Sequence, residues 1–418
     1  LLRADGKVYG HAWTAANCSD VISRQDIEDA AIRVATVIRP TPVAEVDALS
    51  RIAGRPLLVK PEHLQRTGSF KIRGAYNLVS RLPPGTEVVA ASAGNHAQGV
   101  ALAAALTGLH STIYMPANAA LPKVEATQAY GATVRLEGAG VHECLGLAKA
   151  AAEGTGAVYV PPFDDPLIIA GQGTVGLEIA TEAPDVEVVV VPIGGGGLIS
   201  GVATALAHSR RGVRIVGVEA AGAAGMRASL DAGHVVTLDG VATMADGIAV
   251  RAPSPLTLAH VEAYVDDVVT VTEEELSRAL LLLLERAKAV VEPAGAAAVA
   301  AVLSGKVAGR GPVVAVLSGG NIDPLLMLKV IDHGLSAAGR YLLLRIVLDD
   351  RPGALAALTA AVADIGLNVL EVEHHRSGVR LGVAEVEVLL TVETRDPRHA
   401  TEVVEALRAR GFGVELDR

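Results

Sequence analysis

Residues 66–75 read RTGSFKIRGA, a run of glycine, serine and phenylalanine that ends in one lysine, Lys71. Such a lysine can be a solvated side chain opening a helix, or a nucleophile held on a turn to attack a carbonyl. The chain contains 8 lysines against 28 arginines, so lysine is seldom used where arginine would serve. Three further stretches carry chemistry: SAGNHAQG at 92–99, GGGGL at 194–198 and SGGN at 318–321. Each follows a short aliphatic run that reads as a strand. In α/β sheets, ligands sit at the carboxyl ends of strands. Gly194, Gly195, Gly196 and Gly197 precede a helical stretch. Glycines there let backbone N–H groups turn toward an anion, and the helix dipole adds to the attraction, so a phosphate fits; a plain strand-to-helix turn is the alternative. No Lys-Ser or Lys-Thr follows, which excludes a Walker A loop, and there is no GxGxxG with a ribose-binding acid.

These residues must be positioned by regular elements. LLVK (57–60), EVVAAS (87–92), STIYMP (111–116), ATVRLE (132–137), EVVVVPI (187–193), VRIVGVE (213–219) and PVVAVLS (312–318) are short, aliphatic and bounded by breakers, the pattern of buried parallel strands. Stretches such as 97–108 and 273–287 read as the intervening helices. The alternation continues for about 300 residues, so two α/β lobes are expected within 21–335, the smaller (about 60–160) inserted in the larger. After about residue 338 the order becomes βαββαβ within 341–418, a ferredoxin-like pattern. Residues 1–20 lack periodicity and read as an extension. With 50% apolar but only 3% aromatic residues, the core must be aliphatic. A net charge of −10 without blocks of like charge argues against nucleic-acid binding and against a basic membrane face. Cys18 and Cys144 form no CxxC pair or disulfide framework, and no apolar run approaches a spanning helix; a cytoplasmic location is expected.

A phosphate site and an isolated lysine in an α/β chain point to pyridoxal 5'-phosphate, whose aldehyde needs an amine and whose phosphate needs donors. The four motifs, in this order over about residues 21–330, resemble the fold type II pyridoxal-phosphate enzymes (tryptophan synthase β-like), specifically the threonine/serine dehydratase and serine racemase group. The resemblance implies that Lys71 bonds the cofactor aldehyde and later serves as base at Cα. It implies that Asn95 meets the ring hydroxyl, that Gly194 to Gly197 with Leu198 hold the phosphate, and that Ser318 faces the pyridine nitrogen. Gly247 and Glu292 match positions lining the cofactor. Ser69, Ser92, Ala93, Gly94, Asn95 and His96 are implied around the substrate carboxylate, with His96 as a local structural residue rather than a catalyst. The cofactor phosphate is the implied proton donor to the leaving hydroxyl. Racemases of the group carry a serine where this chain has Ala93, and alanine can neither donate nor take a proton. Glu219 matches one ligand of the family's structural cation, but AAGAAG follows and the second acid is missing, so no metal is assigned. His374 and His375 are adjacent in an expected strand and point to opposite faces.

DDRPGALAALTAAVADIGLNVLEV (349–372) resembles the ACT regulatory domain. That resemblance implies pairing between subunits, as a homodimer or homotetramer, and an amino-acid effector, typically branched-chain, near Pro352, Gly353, Ala354, Leu355 and Asn368. The leading expectation is an allosteric L-threonine and L-serine dehydratase making 2-oxobutanoate, at the entry to isoleucine synthesis. The alternatives are a dehydratase of another β-hydroxy amino acid such as 3-hydroxyaspartate, a serine racemase, or an amino-acid sensor with a silent catalytic lobe.

Overall fold

A computed structural model describes residues 21–209, 212–337, 339–376 and 381–416. The expected extension at 1–20, with Cys18, lies outside them. The described residues form three sheets. The strands, in chain order, are β1 (Ala44–Glu45), β2 (Leu57–Lys60), β3 (Glu87–Ala91), β4 (His110–Met115), β5 (Thr133–Leu136), β6 (Val158–Tyr159), β7 (Val188–Pro192), β8 (Arg214–Ala220), β9 (Asp267–Val271), β10 (Val313–Val316), β11 (Tyr341–Asp349), β12 (Val369–His375), β13 (Glu385–Glu393) and β14 (Gly413–Leu416). The larger sheet has the order β1-β2-β10-β7-β8-β9 and is parallel except for β1. Its central strands β7 and β10 are buried along their whole length, which is why they read as unbroken valine runs. The smaller sheet, β5-β4-β3-β6, is entirely parallel.

LLVK at 57–60 pairs with β10, Leu57 opposite Val313, so it belongs to the larger sheet rather than to the inserted lobe. The smaller sheet spans residues 87–159. The helix Lys71–Val79 joins that lobe from outside the sheet: Ile72, Ala75, Leu78 and Val79 pack into one core with Val88, Ala90, Ala97 and Val100. Its other side faces the helix Pro166–Glu182, where Gly74 and Gly171 meet; a Cβ on Gly171 would lie 2.6 Å from the Gly74 Cα. Only glycine permits backbones that close.

Beside this contact Arg73 is fully buried. Its guanidinium grips Glu62 through Nε (2.8 Å) and Nη2 (2.7 Å), and Glu178 through Nη1 (2.6 Å) and Nη2 (2.9 Å). Lys60, also fully buried, reaches Glu178 at 2.6 Å and the Thr41 carbonyl at 2.7 Å. Burial disfavours the Arg73 charge, but the two carboxylates outweigh it and hold the guanidinium above its usual value. Removing one member of such a network leaves the others charged and unpaired. Arg73→Met is therefore expected to lower stability by about 3–5 kcal/mol, read as a lower denaturation midpoint in urea.

The chain divides after Asp323. In the second unit the helix Pro324–Ala337 precedes the βαββαβ order, so the boundary falls earlier than the expected 335. The sheet order β12-β13-β11-β14 is antiparallel throughout, with the helices Ala354–Asp364 and Pro397–Ala409. Along β11, Leu342, Leu344, Ile346 and Leu348 are buried in strict alternation, the signature of a sheet covered on one face.

Candidate active site

The turn before Lys71 is strained and tied down. Thr67 has φ 63°, a left-handed conformation that a β-branched residue adopts only where its surroundings impose it. Here they do. The Asn321 amide donates to the Thr67 carbonyl (2.7 Å), the Gly320 N–H to the Gly68 carbonyl (2.9 Å) and the Phe70 N–H to the Ser318 carbonyl (3.2 Å). Ser69 and Gly319 form a β-bridge. The SGGN stretch thus clasps the lysine turn from the end of β10.

Lys71 opens its helix half-buried, with Nζ donating to the Pro162 carbonyl at 2.8 Å and lying 5.2 Å from the centre of the Phe70 ring. Burial pulls its amine down to about 8, against the opposing pull of Glu292. A good part of the population is then neutral, and so nucleophilic, near physiological pH.

Asn95 begins the helix Asn95–Thr107 after β3. Its Nδ2 donates to Glu292 Oε1 (2.6 Å), and its Oδ1 accepts from Asn321 Nδ2 (2.7 Å). Glu292 is buried, and that burial together with nearby Asp246 pushes its carboxyl up to about 7, although Asn95, Lys123 and Lys71 oppose the rise. His96 is buried as well. Its Nε2 donates to the Val160 carbonyl (2.9 Å), while burial and Lys71 push its pKa down to about 3, so it stays neutral. A neutral, hydrogen-bonded imidazole is no proton shuttle at physiological pH. The Ser92 hydroxyl accepts from the Gly94 N–H (3.1 Å), and the Ser92 N–H continues β3 by donating to Tyr114. Ala93 follows, and the helix start at Asn95 has no side-chain cap, which leaves its first N–H groups without a side-chain acceptor.

Gly194–Gly196 lie between β7 and the helix Gly197–Ser209, which Gly197 opens. Gly196 has φ 95°, and a side chain on Gly195 would run into the Phe163 ring. The Leu198 side chain lies in the core with Val191 and Ile193, so only its backbone can face a ligand. Ser318 is buried at the end of β10, and Gly247 lies in the turn Asp246–Ile248 near Glu292. The Ser69 hydroxyl is buried with no partner among the described residues. A poised amine, an anion-ready glycine loop at a helix start and an orphaned hydroxyl fit pyridoxal phosphate and its substrate.

Three contributors carry no assignment from sequence: Asn321, Pro162 and Phe163. Asn321 closes the SGGN motif and is therefore in view; the other two act by backbone and by shape, which leaves no motif. Glu219 accepts from the N–H groups of Met226 and Arg227, both at 2.8 Å, and so caps the helix Gly225–Ala232. His374 and His375 pair with Val388 and Glu387 in β12, on opposite faces as expected. In the second unit, Pro352–Leu355 follow β11 at its Asp349 end, whereas Asn368 precedes β12 at the Tyr341 end. Asn368 borders a pocket of about 560 Å³ with Arg340, Glu393, Arg395 and His399. One copy of this sheet cannot bring all five residues to one ligand.

The model of the family described as "Pyridoxal-phosphate dependent enzyme" matches residues 34–319. The chain belongs to this family. An ACT domain matches residues 342–412. Among similar pyridoxal-phosphate enzymes, the L-threonine ammonia-lyase of Thermotoga maritima is 47% identical over 95% of this chain and 100% of its own length. A solved threonine deaminase, from T.th., is 40% identical with a TM-score of 0.70, covering 72% of this chain and 99% of its own. Maize serine racemase is 35% identical with a TM-score of 0.71, covering 76% and 99%. No helix among the described residues is long and apolar enough to cross a membrane.

The raised Glu292 carboxyl has a measurable consequence for the cofactor-free protein. Its folded value of about 7 exceeds the ordinary value of 4.5, so its contribution to stability is full below about 4.5 and is lost as pH rises through about 7. Glu292→Gln is expected to remove that part of the decline, so its melting temperature should fall less than that of wild type between pH 4.5 and 8.

Proposed function

We propose that the chain is a lyase that converts L-threonine to 2-oxobutanoate and ammonia, with L-serine as a second substrate. The observation that carries this reading is the convergence of Lys71, Asn95, the glycine loop and Ser318 on one site whose substrate loop has alanine at position 93. Similarity to an L-threonine ammonia-lyase over 95% of the chain supports the substrate.

Pyridoxal phosphate, when bound, supplies the aldehyde that takes up the substrate amine and the ring that draws electrons from Cα. The chain's own groups then set the outcome. The uncapped N–H groups at the start of the helix Asn95–Thr107 orient the substrate carboxylate, with the Ser69 hydroxyl beside them. Lys71 Nζ, freed from the cofactor, takes the Cα proton. Ser318 would offer the pyridine nitrogen a hydroxyl rather than a carboxylate, a partner that does not favour a charged nitrogen and so suits early departure of the β-hydroxyl. The hydroxyl leaves with one proton as water, which balances the proton Lys71 takes from Cα; the released amino-alkene takes up one water and loses ammonia, giving the 2-oxo acid. Ala93 supplies no base on the opposite side, which favours elimination over racemisation despite the likeness to maize serine racemase.

The second unit is read as the regulator. A ligand touching both Pro352–Leu355 and Asn368 must be shared between two copies, in keeping with a homo-oligomer that binds a branched-chain amino acid between ACT domains. Cytoplasmic amino-acid metabolism, with isoleucine synthesis as the destination, fits this reading.

The test is to load the purified protein with pyridoxal phosphate, add L-threonine and assay 2-oxobutanoate beside Lys71→Ala. Product from wild type alone, with a borohydride-fixed cofactor on the Lys71 peptide by mass spectrometry, is the expected result. A fixed cofactor without oxo acid overturns L-threonine as substrate and moves the search to other hydroxy amino acids or racemisation.

A further inference from the structure

The two α/β sheets of the first unit have separate hydrophobic cores and meet across the cleft that holds Lys71 and the glycine loop. One ion pair joins the two lobes. Lys123, on the helix Leu121–Ala129 of the smaller lobe, places Nζ 2.6 Å from Asp246 Oδ2 on the large-lobe turn Asp246–Ile248. Among the ion pairs of the described residues, it alone joins the inserted segment 87–159 to the rest of the unit.

Lys123 does not sit where local structure would put it. Lys123 lies in the first turn of its helix, where the dipole disfavours a cation, and that turn holds no acid to offset it. In a chain of 8 lysines this is an unusual place for one. Asp246 projects from a turn that is fixed from behind: its N–H donates to the Met244 carbonyl (2.9 Å), and the Met244 N–H donates to Glu273 (2.8 Å).

That turn touches both halves of the cofactor cradle. The Ile248 Cα lies 3.1 Å from where a Gly194 Cβ would stand, and a Gly247 Cβ would lie 3.3 Å from Glu292 Oε1. Any force on Asp246 is therefore applied beside the glycine loop and beside the Glu292–Asn95 hydrogen bond. The pair itself is partly exposed, at 24% for Lys123 and 55% for Asp246, so it is open to salt and adds little to global stability.

We propose that Lys123 and Asp246 form a latch across the cleft. It holds the smaller lobe against the 246–248 turn while substrate is bound and opens for exchange of substrate and product. Two lobes with separate cores, joined by crossing segments, are built for such a hinge motion.

The test compares cofactor-loaded wild type with K123M, D246N and the charge swap K123D/D246K. Hydrogen exchange is read at residues 121–129 and 244–250, at low and at high salt. In wild type, exchange at both segments should quicken with salt. Either single variant should exchange faster at low salt and lose the salt response, and the swap should restore both. Melting temperatures should stay close to wild type. The kinetic arm rests on the lyase reading: KM for L-threonine should rise roughly two- to five-fold in K123M, the range open to an exposed pair. Wild-type exchange at both segments in K123M, or a swap no better than the singles, overturns the latch. If wild type does not turn over L-threonine, the substrate reading fails and the exchange comparison alone decides the latch.

Discussion

The site depends on a buried guanidinium two residues from Lys71. Arg73 can hold its charge in the interior because Glu62 and Glu178 each meet it with two oxygens, and Lys60 balances the excess carboxylate. Those partners come from the segment after β2 and from the helix Pro166–Glu182. The network therefore sets the roll and depth of the helix Lys71–Val79. A buried ion network is weak evidence for net stability, but its geometry is demanding. Few other arrangements satisfy these two carboxylates and two buried cations together, so the helix has one place to sit.

From that fixed helix the rest of the site follows by parallel-sheet geometry. Strands β3, β7 and β10 run the same way within their sheets, and the loops at their carboxyl ends supply Ser92–His96, Gly194–Gly197 and Ser318–Asn321. The polar groups then order one another. Asn321 holds Asn95, Asn95 holds Glu292, and burial keeps Lys71 and His96 short of full charge. Burial of this kind keeps part of the amine population neutral.

Much of this is legible in the sequence because backbone needs leave residue types behind. Continuous valine runs announce β7 and β10, and glycine clusters mark the loops after them. Alternation announces β13, whereas β11 (YLLLRIVLD) is apolar almost throughout and shows its alternation only in burial. Other features leave no such trace. β1 and β6 have two residues each, too few for any period. β9 (DVVTV) lies close behind VEAYVDD, whose charges mask the strand. LLVK reads as a buried strand, but nothing in the sequence names its partner, because that partner is β10, more than 250 positions away. The roles of Pro162 and Phe163 rest on a carbonyl and a ring edge, and nothing in the sequence separates Arg73 from a surface arginine, because its partners lie far along the chain.

The strained turn at Thr67 also has a history in time. It lies near the start of the catalytic unit, but the amide that holds its carbonyl belongs to Asn321, 254 positions later. As a chain leaves the ribosome, the Lys71 motif emerges early while its clasp has not yet been made. Long-range contacts of this kind form late. A nascent or truncated chain lacking residues 318–321 has no means of holding the turn in its left-handed conformation. The amine thus remains an ordinary lysine through most of synthesis and becomes a site only when the last strand of the unit closes over it.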